Sequence, residues 1–265
     1  MHARVNGFQM AYEDHGEGTP VLFIHGFPLH RKIWRPQVAA LRDEFRVLTP
    51  DVRGHGESEA TAGVYEMEWL ADDIAALLRH LQCGPAVIAG HSMGGYILFA
   101  FYRKYPELAR GLILVSTRAV ADTAEGKANR EALAQRVERE GHQPVVEKML
   151  APMLAEASVH TIPSLKQEVE NMMREAALLG LAGASRGMAM RLDSAELLAR
   201  INVPALIIAG TTDALIHYSE SEKMAQAIPG ARLHLLEGCG HLPSLEKAEE
   251  VSALMREWLR EQSSK

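Results

Sequence analysis

The chain contains too few cysteines for disulfides or a zinc cluster to organise its fold. Only two occur among its 265 residues, Cys83 and Cys239. A disulfide framework or a four-thiolate zinc site needs more thiols than this. The sequence also lacks zinc-ligand spacing and a glycine-rich dinucleotide fingerprint. We therefore expect neither a metal ion nor an organic cofactor.

Long apolar runs and an excess of basic residues are missing as well. The apolar stretches are far shorter than the roughly 20 residues of a membrane-spanning helix. The N-terminal residues MHARVNGFQMAYEDHG show no apolar core of a signal peptide. A formal net charge of -6 does not give the basic footprint of a nucleic-acid-binding protein. The sequence therefore predicts a cytoplasmic protein that binds neither membrane nor nucleic acid, and it leaves the oligomeric state open.

What the sequence does contain is a regular alternation of short apolar runs and helical patterns. Strands are predicted at residues 8–13, 21–24, 46–50, 87–90, 111–115, 205–210 and 233–236, with residues 2–6 as a possible partner of the first. Helices are predicted at residues 34–43, 66–82, 93–105 and 244–261. This order is typical of an α/β fold with a mostly parallel central sheet flanked by helices.

The alternation stops at about residue 118 and resumes at residue 205. Between these points the chain is rich in charged residues, methionine and alanine, and shows no strand pattern. We therefore predict a core domain formed by residues 1–117 and 199–265, with a helical cap inserted at residues 118–198.

A candidate nucleophile lies in the sequence VIAGHSMGG at residues 87–95. Its G-x-S-x-G pattern runs from Gly90 to Gly94 and stands between an apolar strand and an apolar helix. A sharp turn in this setting presents the hydroxyl of Ser92 at the end of the sheet, beside helix N-terminal amides that favour an anion. The pentapeptide alone also fits an ordinary glycine-rich turn, and only its setting favours a nucleophile.

Two later loops offer the base and the acid that a serine nucleophile needs. Asp213 follows the predicted strand at 205–210, and His241 follows the one at 233–236. The chain order of serine, aspartate and histidine is that of strand–turn–helix serine hydrolases. Because catalytic groups collect at the carboxyl ends of parallel strands, we expect these side chains to meet.

Other residues could take the same roles. His217 also follows Asp213, but no strand directly precedes it. Glu237 and Asp193 are alternative acids, although Asp193 fits the N-cap of a helix better.

An oxyanion formed at the reacting carbonyl needs aimed hydrogen-bond donors. The backbone N–H of Met93, directly after Ser92, is one candidate. The segment HGFP at residues 25–28 follows the strand VLFI, in the place where the second donor arises. Since Pro28 has no N–H, Phe27 is the predicted second donor.

With these pieces in view, the sequence resembles the α/β-hydrolase superfamily over nearly its whole length. The matching segments are VLFIHGFP at 21–28, DVRGHGES at 51–58, GHSMGGYI at 90–97, IIAGTTDALI at 207–216 and GCGHLPSLE at 238–246. The resemblance implies the α/β-hydrolase fold. It also implies a catalytic triad of Ser92, Asp213 and His241, with Phe27 and Met93 at the oxyanion.

The resemblance also narrows the chemistry. Superfamily members that carry aspartate as nucleophile act as haloalkane dehalogenases or epoxide hydrolases, and Ser92 disfavours both. The stretch SRGMAMRLDSAELLARINVPALIIAG at 185–210 resembles the small-ester, enol-lactone and cofactor-free haloperoxidase branch. His217 stands where many relatives carry proline.

Together these features predict a serine hydrolase for small to medium, largely apolar esters. Met149, Met153, Met172 and Met188 of the cap, with His217 at the mouth, are the predicted pocket residues. Packing of the cap onto the core is the alternative role of each methionine.

Three enzyme alternatives share the same triad: an enol-lactonase, a carbon–carbon bond hydrolase and a perhydrolase. A slow ligand receptor on the same scaffold is a fourth. A lactonase for a dicarboxylate would need an arginine or lysine in the cap. Arg130, Arg174, Arg186 and Arg191 are available there.

Overall fold

An eight-stranded sheet forms the centre of the computed structural model, which describes residues 1–263. The strands are β1 (His2–Val5), β2 (Phe8–His15), β3 (Pro20–Ile24), β4 (Arg46–Pro50), β5 (Ala86–His91), β6 (Ala109–Val115), β7 (Ala205–Gly210) and β8 (Arg232–Leu236). Their order across the sheet is β1-β2-β4-β3-β5-β6-β7-β8. β2 pairs antiparallel with both β1 and β4 at one edge of the sheet. The other six strands, β3 to β8, are parallel to one another.

Helices cover both faces of this sheet. They are α1 (Arg35–Leu41), α2 (Met67–His80), α3 (Met93–Lys104), α4 (Ala124–Glu140), α5 (Gln143–Met153), α6 (Glu156–Thr161), α7 (Leu165–Glu175), α8 (Leu178–Met190), α9 (Ala195–Leu198), α10 (Ser219–Ala227), α11 (Pro243–Glu246) and α12 (Ala248–Ser263). Two short 3-10 helices lie at Arg31–Trp34 and Pro106–Leu108. The predicted mostly parallel sheet flanked by helices is thus confirmed.

Each central strand is buried on both sides because its side chains alternate between two hydrophobic clusters. In β3, Leu22 and Ile24 pack with α2 and α3, whereas Val21 and Phe23 pack with α1 and α12. This alternation explains why the central strands are apolar at almost every position. The parallel direction of β3, β5, β6, β7 and β8 places their carboxyl ends along one edge of the sheet.

Helices α4 to α9 form an insertion between β6 and β7, which we call the helical insertion (residues 118–198). Its Leu133 joins the cluster on the α2 and α3 face, while Leu150 and Val169 join the opposite cluster. A separate cap at 118–198 over a core of 1–117 and 199–265 stays a proposal, and residues 264–265 of that core lie outside the described residues. Within residues 1–263, no helix combines the length and apolarity needed to cross a membrane.

One local expectation differs from the structure. The predicted single helix at 244–261 is divided into α11 and α12, because Lys247 adopts φ -130 and ψ 46 between them. His30 is buried, at 1% exposed, and is the N-cap of the 3-10 helix that follows β3.

Candidate active site

Ser92 lies in a strained turn between β5 and α3. Its φ of 52 and ψ of -112 are outside the regions that non-glycine residues favour. A Cβ at Gly94 would collide with the backbone of Ile24, and one at Gly90 would collide with Gly94 itself. The two glycines of the pattern therefore allow strand, turn and helix to approach this closely. The close approach in turn forces the strained conformation at Ser92.

Hydrogen bonds from β6 and the residues after it hold this turn in place. The backbone N–H of Ser92 donates to the carbonyl of Val115 at 2.9 Å. The hydroxyl of Thr117 donates to the carbonyl of Ser92 at 2.8 Å. Sequence reasoning missed Thr117, because only the sheet order places the end of β6 beside β5.

His241 and Asp213 meet although 27 residues separate them in the chain. Nδ1 of His241 lies 2.7 Å from Oδ2 of Asp213. The other carboxylate oxygen accepts N–H bonds from Leu215 at 2.8 Å and Ile216 at 2.9 Å. Burial acts to raise the pKa of Asp213, but the charge and hydrogen bond of His241 and these two amides outweigh it and lower the pKa below its usual value. An ionised Asp213 fixes the proton of His241 on Nδ1, so Nε2 is left as the acceptor.

The loop that carries His241 is held by the carboxylate of Glu246. Glu246 accepts backbone N–H bonds from Gly240 at 3.1 Å and from Leu242 at 2.9 Å. It accepts a third from Ala155 in the helical insertion, at 2.9 Å. Glu246 was not singled out from the sequence. Its only sequence signal is its place in the matching segment GCGHLPSLE.

The backbone of His241 is bound on both sides. Its N–H donates to the carbonyl of Met153 at 2.9 Å. Its carbonyl lies 2.7 Å from Nε2 of His91, which must therefore donate. Burial lowers the pKa of His91 to about 3, with a smaller contribution from His241. His91 is thus neutral at physiological pH and holds the backbone of His241 by this hydrogen bond.

Phe27 and Met93, the predicted oxyanion donors, lie in the loop after β3 and at the start of α3. Phe27 follows β3 and lines the same cavity as Ser92. Met93 is the first residue of α3, where a backbone N–H has no acceptor within the helix. His25 holds the Phe27 loop, since its Nδ1 lies 3.0 Å from the carbonyl of Gly26 and its Nε2 accepts from Val52 N at 2.9 Å.

A cavity of about 380 Å³ opens at Ser92 and His241. Leu133, Met149 and Met188 of the helical insertion supply an apolar part of its wall. Four charged side chains also line it: Arg118, Asp122, Arg130 and Lys148. The wall is therefore less apolar than the sequence predicted.

The structure reduces the predicted set of pocket methionines to two. Met149 and Met188 line the cavity. Met153 is fully buried and Met172 is 6% exposed, and both pack in the cluster between the helical insertion and the α1 and α12 face of the sheet. The prediction that Met153 and Met172 line the pocket is therefore wrong. Both side chains fill the cluster beneath α5 and α7, which is the packing role given above as the alternative.

The alternative acid and base residues lie elsewhere. His217 is exposed, does not line the cavity, and has Nδ1 at 2.9 Å from the hydroxyl of Ser219. Its predicted place at the mouth is therefore also corrected. Glu237 is exposed. Asp193, which directly precedes the N-cap Ser194 of α9, accepts backbone N–H bonds from Ala195 at 2.8 Å and Ala121 at 2.9 Å.

Comparisons with known proteins identify the family and the fold. A family model described as "Alpha/beta hydrolase family" matches residues 21–254. The chain is similar to a thermophilic esterase from Thermogutta terrifontis, solved with malate bound, at a TM-score of 0.97 and 42% identity over 99% of each chain. It is also similar to the enol-lactonase of Burkholderia xenovorans, at a TM-score of 0.92 and 28% identity over 98% of this chain and 100% of the other. The sequence is 26% identical over 240 residues to 3-oxoadipate enol-lactonase 2 of Acinetobacter baylyi, covering 89% of this chain and 88% of that one.

Proposed function

This chain belongs to the alpha/beta hydrolase family, and we propose that it is a serine hydrolase that cleaves carboxylic esters through an acyl-enzyme intermediate. One observation carries the proposal. His241, oriented by Asp213 at 2.7 Å, lines the same cavity as the strained Ser92. A hydroxyl, a base and an orienting carboxylate are the groups that acyl transfer requires.

In this mechanism Nε2 of His241 takes the proton of Ser92 as Oγ attacks the ester carbonyl. Asp213 stabilises the imidazolium that forms. The backbone N–H groups of Phe27 and Met93 stabilise the oxyanion. His241 then gives its proton to the leaving alcohol, and water releases the acid by the same steps.

Similarity to the Thermogutta esterase at 42% identity supports an ester as substrate. An enol-lactone is the second candidate, because opening a cyclic ester uses the same groups. Similarity to two enol-lactonases supports it, as do Arg130 and Lys148 of the helical insertion in the cavity wall. In either case the partner is a small-molecule ester or lactone.

The test is hydrolysis of a chromogenic ester panel, extended to lactones, by wild type and by Ser92→Ala. We expect Ser92→Ala to lose on the order of 10⁴-fold in turnover while keeping its far-UV circular dichroism and Tm. Ser164→Ala, at an exposed position of the helical insertion, is the matched control and should keep wild-type turnover. A serine-directed phosphonate should label Ser92. Near-normal turnover of folded Ser92→Ala, or labelling at another serine, would disprove the mechanism.

A further inference from the structure

We propose that the cavity at Ser92 selects esters or lactones that carry a carboxylate away from the reacting carbonyl, and that Lys148 and Arg130 bind this carboxylate. The inference rests on the proposed hydrolase function and extends it to a class of substrate. It starts from the charges of the cavity wall, where three cations, Arg118, Arg130 and Lys148, accompany one carboxylate, Asp122.

The carboxylate of Asp122 is already paired with three arginines. Arg118 and Arg130 both form ion pairs with it. Arg191, which does not line the cavity and is 4% exposed, adds two more contacts at 2.7 Å and 3.0 Å. Burial acts to raise the pKa of Asp122, but these arginines hold it well below its usual value. Asp122 is therefore an anion that neutralises only one of the surrounding cations.

Lys148 is a cation without an acidic partner. Among residues 1–263, no carboxylate lies within ion-pair distance of its ammonium. Partial burial lowers the pKa of Lys148, and the like charges of Arg130 and Arg136 lower it further. A carboxylate placed beside Lys148 would relieve this repulsion.

Arg130 also keeps donors that the protein does not satisfy well. Its Nε is directed at Asp122, whereas its Nη1 faces the thioether of Met188 at 3.2 Å. A thioether is a weak acceptor, so a carboxylate there would be a better partner. The planar guanidinium can bind such a group while it keeps its contact with Asp122.

A purely structural role explains only part of this arrangement. Arg118, Asp122, Arg130 and Arg191 join the segment after β6 to α4 and to the end of α8, and so fix the helical insertion. That role does not account for Lys148, which is exposed, lines the cavity and pairs with no acid of the described chain. The surplus charge at the cavity is what a carboxylate-bearing substrate would balance.

The first test compares two esters with acyl chains of equal carbon count, monoethyl glutarate and ethyl valerate, followed by proton release. We expect wild type to prefer monoethyl glutarate, and about 0.5 M NaCl to weaken that preference by screening. In Lys148→Met the ratio of kcat/KM for glutarate over valerate ester should fall about fivefold, mainly through KM, and further in Lys148→Glu. Lys148→Arg should restore it. Lys166→Met, at an exposed lysine of α7, is the control and should leave the ratio unchanged.

The second test does not depend on turnover. Monoethyl glutarate should bind to Ser92→Ala more tightly than ethyl valerate does, and Ser92→Ala/Lys148→Met should lose this difference, as measured by calorimetry. Hydrolysis of ethyl valerate with no preference for the glutarate ester, or equal binding of the two esters to Ser92→Ala, would overturn the carboxylate site and leave the hydrolase proposal standing. Absent turnover of both esters with selective binding of monoethyl glutarate would overturn the hydrolase proposal and support the carboxylate site.

Discussion

The carboxylate of Glu246 accepts a 2.9 Å hydrogen bond from the backbone N–H of Ala155, which joins the loop of the candidate base to the helical insertion. The same carboxylate binds the amides of Gly240 and Leu242 on either side of His241. Three backbone donors on a 7% exposed carboxylate leave little freedom to this loop. Glu246 is therefore a positioning residue: it acts on the reaction through His241.

Glu246→Gln should lower kcat about tenfold with little change in KM for a small ester. The glutamine amide presents an NH₂ where a backbone N–H needs an acceptor, so at least one bond is lost, at a cost of about 1–3 kcal/mol. Steady-state kinetics and urea unfolding measure the two effects. Glu249→Gln, at an exposed position of α12, is the control. A loss of stability with unchanged kcat would mean that Glu246 only supports the fold.

The second prediction distinguishes His241 from His217, the alternative candidate for the base. His241→Ala should lose on the order of 10⁴-fold in kcat, because no other described group is placed to take the proton of Ser92. His217→Ala should retain kcat within about twofold, since its exposed ring does not line the cavity. Both variants should be assayed on the same ester, and each must be shown to be folded before their kcat values are compared. Loss of activity in His217→Ala alone would contradict the assignment.

The fold and the meeting of Asp213 with His241 could be predicted because local patterns determine them. Buried parallel strands are apolar throughout, and each ends in a short loop, so both loops had to reach the same edge of the sheet. The strained serine could be predicted for the same reason. Strand, glycines and helix adjoin Ser92 in the sequence.

The lining of the cavity could not be predicted in this way. Methionines at helical spacing look alike in sequence whether they face a cavity or a core. Which face of α5 and α7 meets the sheet depends on how the helical insertion packs, and this buried Met153 and Met172 while leaving Met149 at the cavity. The sequence likewise does not show whether the charged side chains of Arg130 and Lys148 face the cavity.

This difference among the methionines gives a third prediction. Met149→Ala should enlarge the cavity and shift kcat/KM toward longer acyl groups by roughly tenfold. Met172→Ala is the matched control: it should cost about 2–5 kcal/mol of stability and leave acyl preference unchanged. The measurement is kcat/KM for esters of increasing acyl length, with urea unfolding of each variant. Parallel losses along the whole series in Met149→Ala would mean that this side chain only packs.

Buried histidines make the stability of this fold depend on pH. Burial lowers the pKa values of His25, His55 and His91 to about 3 each. In the unfolded chain an imidazole has a pKa of about 6.5. Between these values the unfolded chain binds protons that the folded chain does not, so the free energy of unfolding falls as pH falls through this window. Each such histidine contributes at most about 1.4 kcal/mol per pH unit.

His55→Asn tests this relationship without removing the hydrogen bond. Nδ1 of His55 lies 3.0 Å from the carbonyl of Arg53, and an asparagine amide can donate to the same carbonyl but cannot titrate. We expect the free energy of unfolding to depend less steeply on pH in this variant, by about 1.4 kcal/mol per unit between roughly pH 4.5 and 6. Its absolute stability can still fall through lost packing, so the slope is the deciding quantity. His2→Asn, whose side chain is exposed, should keep the wild-type slope. Urea unfolding at several pH values measures all three proteins, and an unchanged slope in His55→Asn would show that His55 is not held neutral in the folded chain.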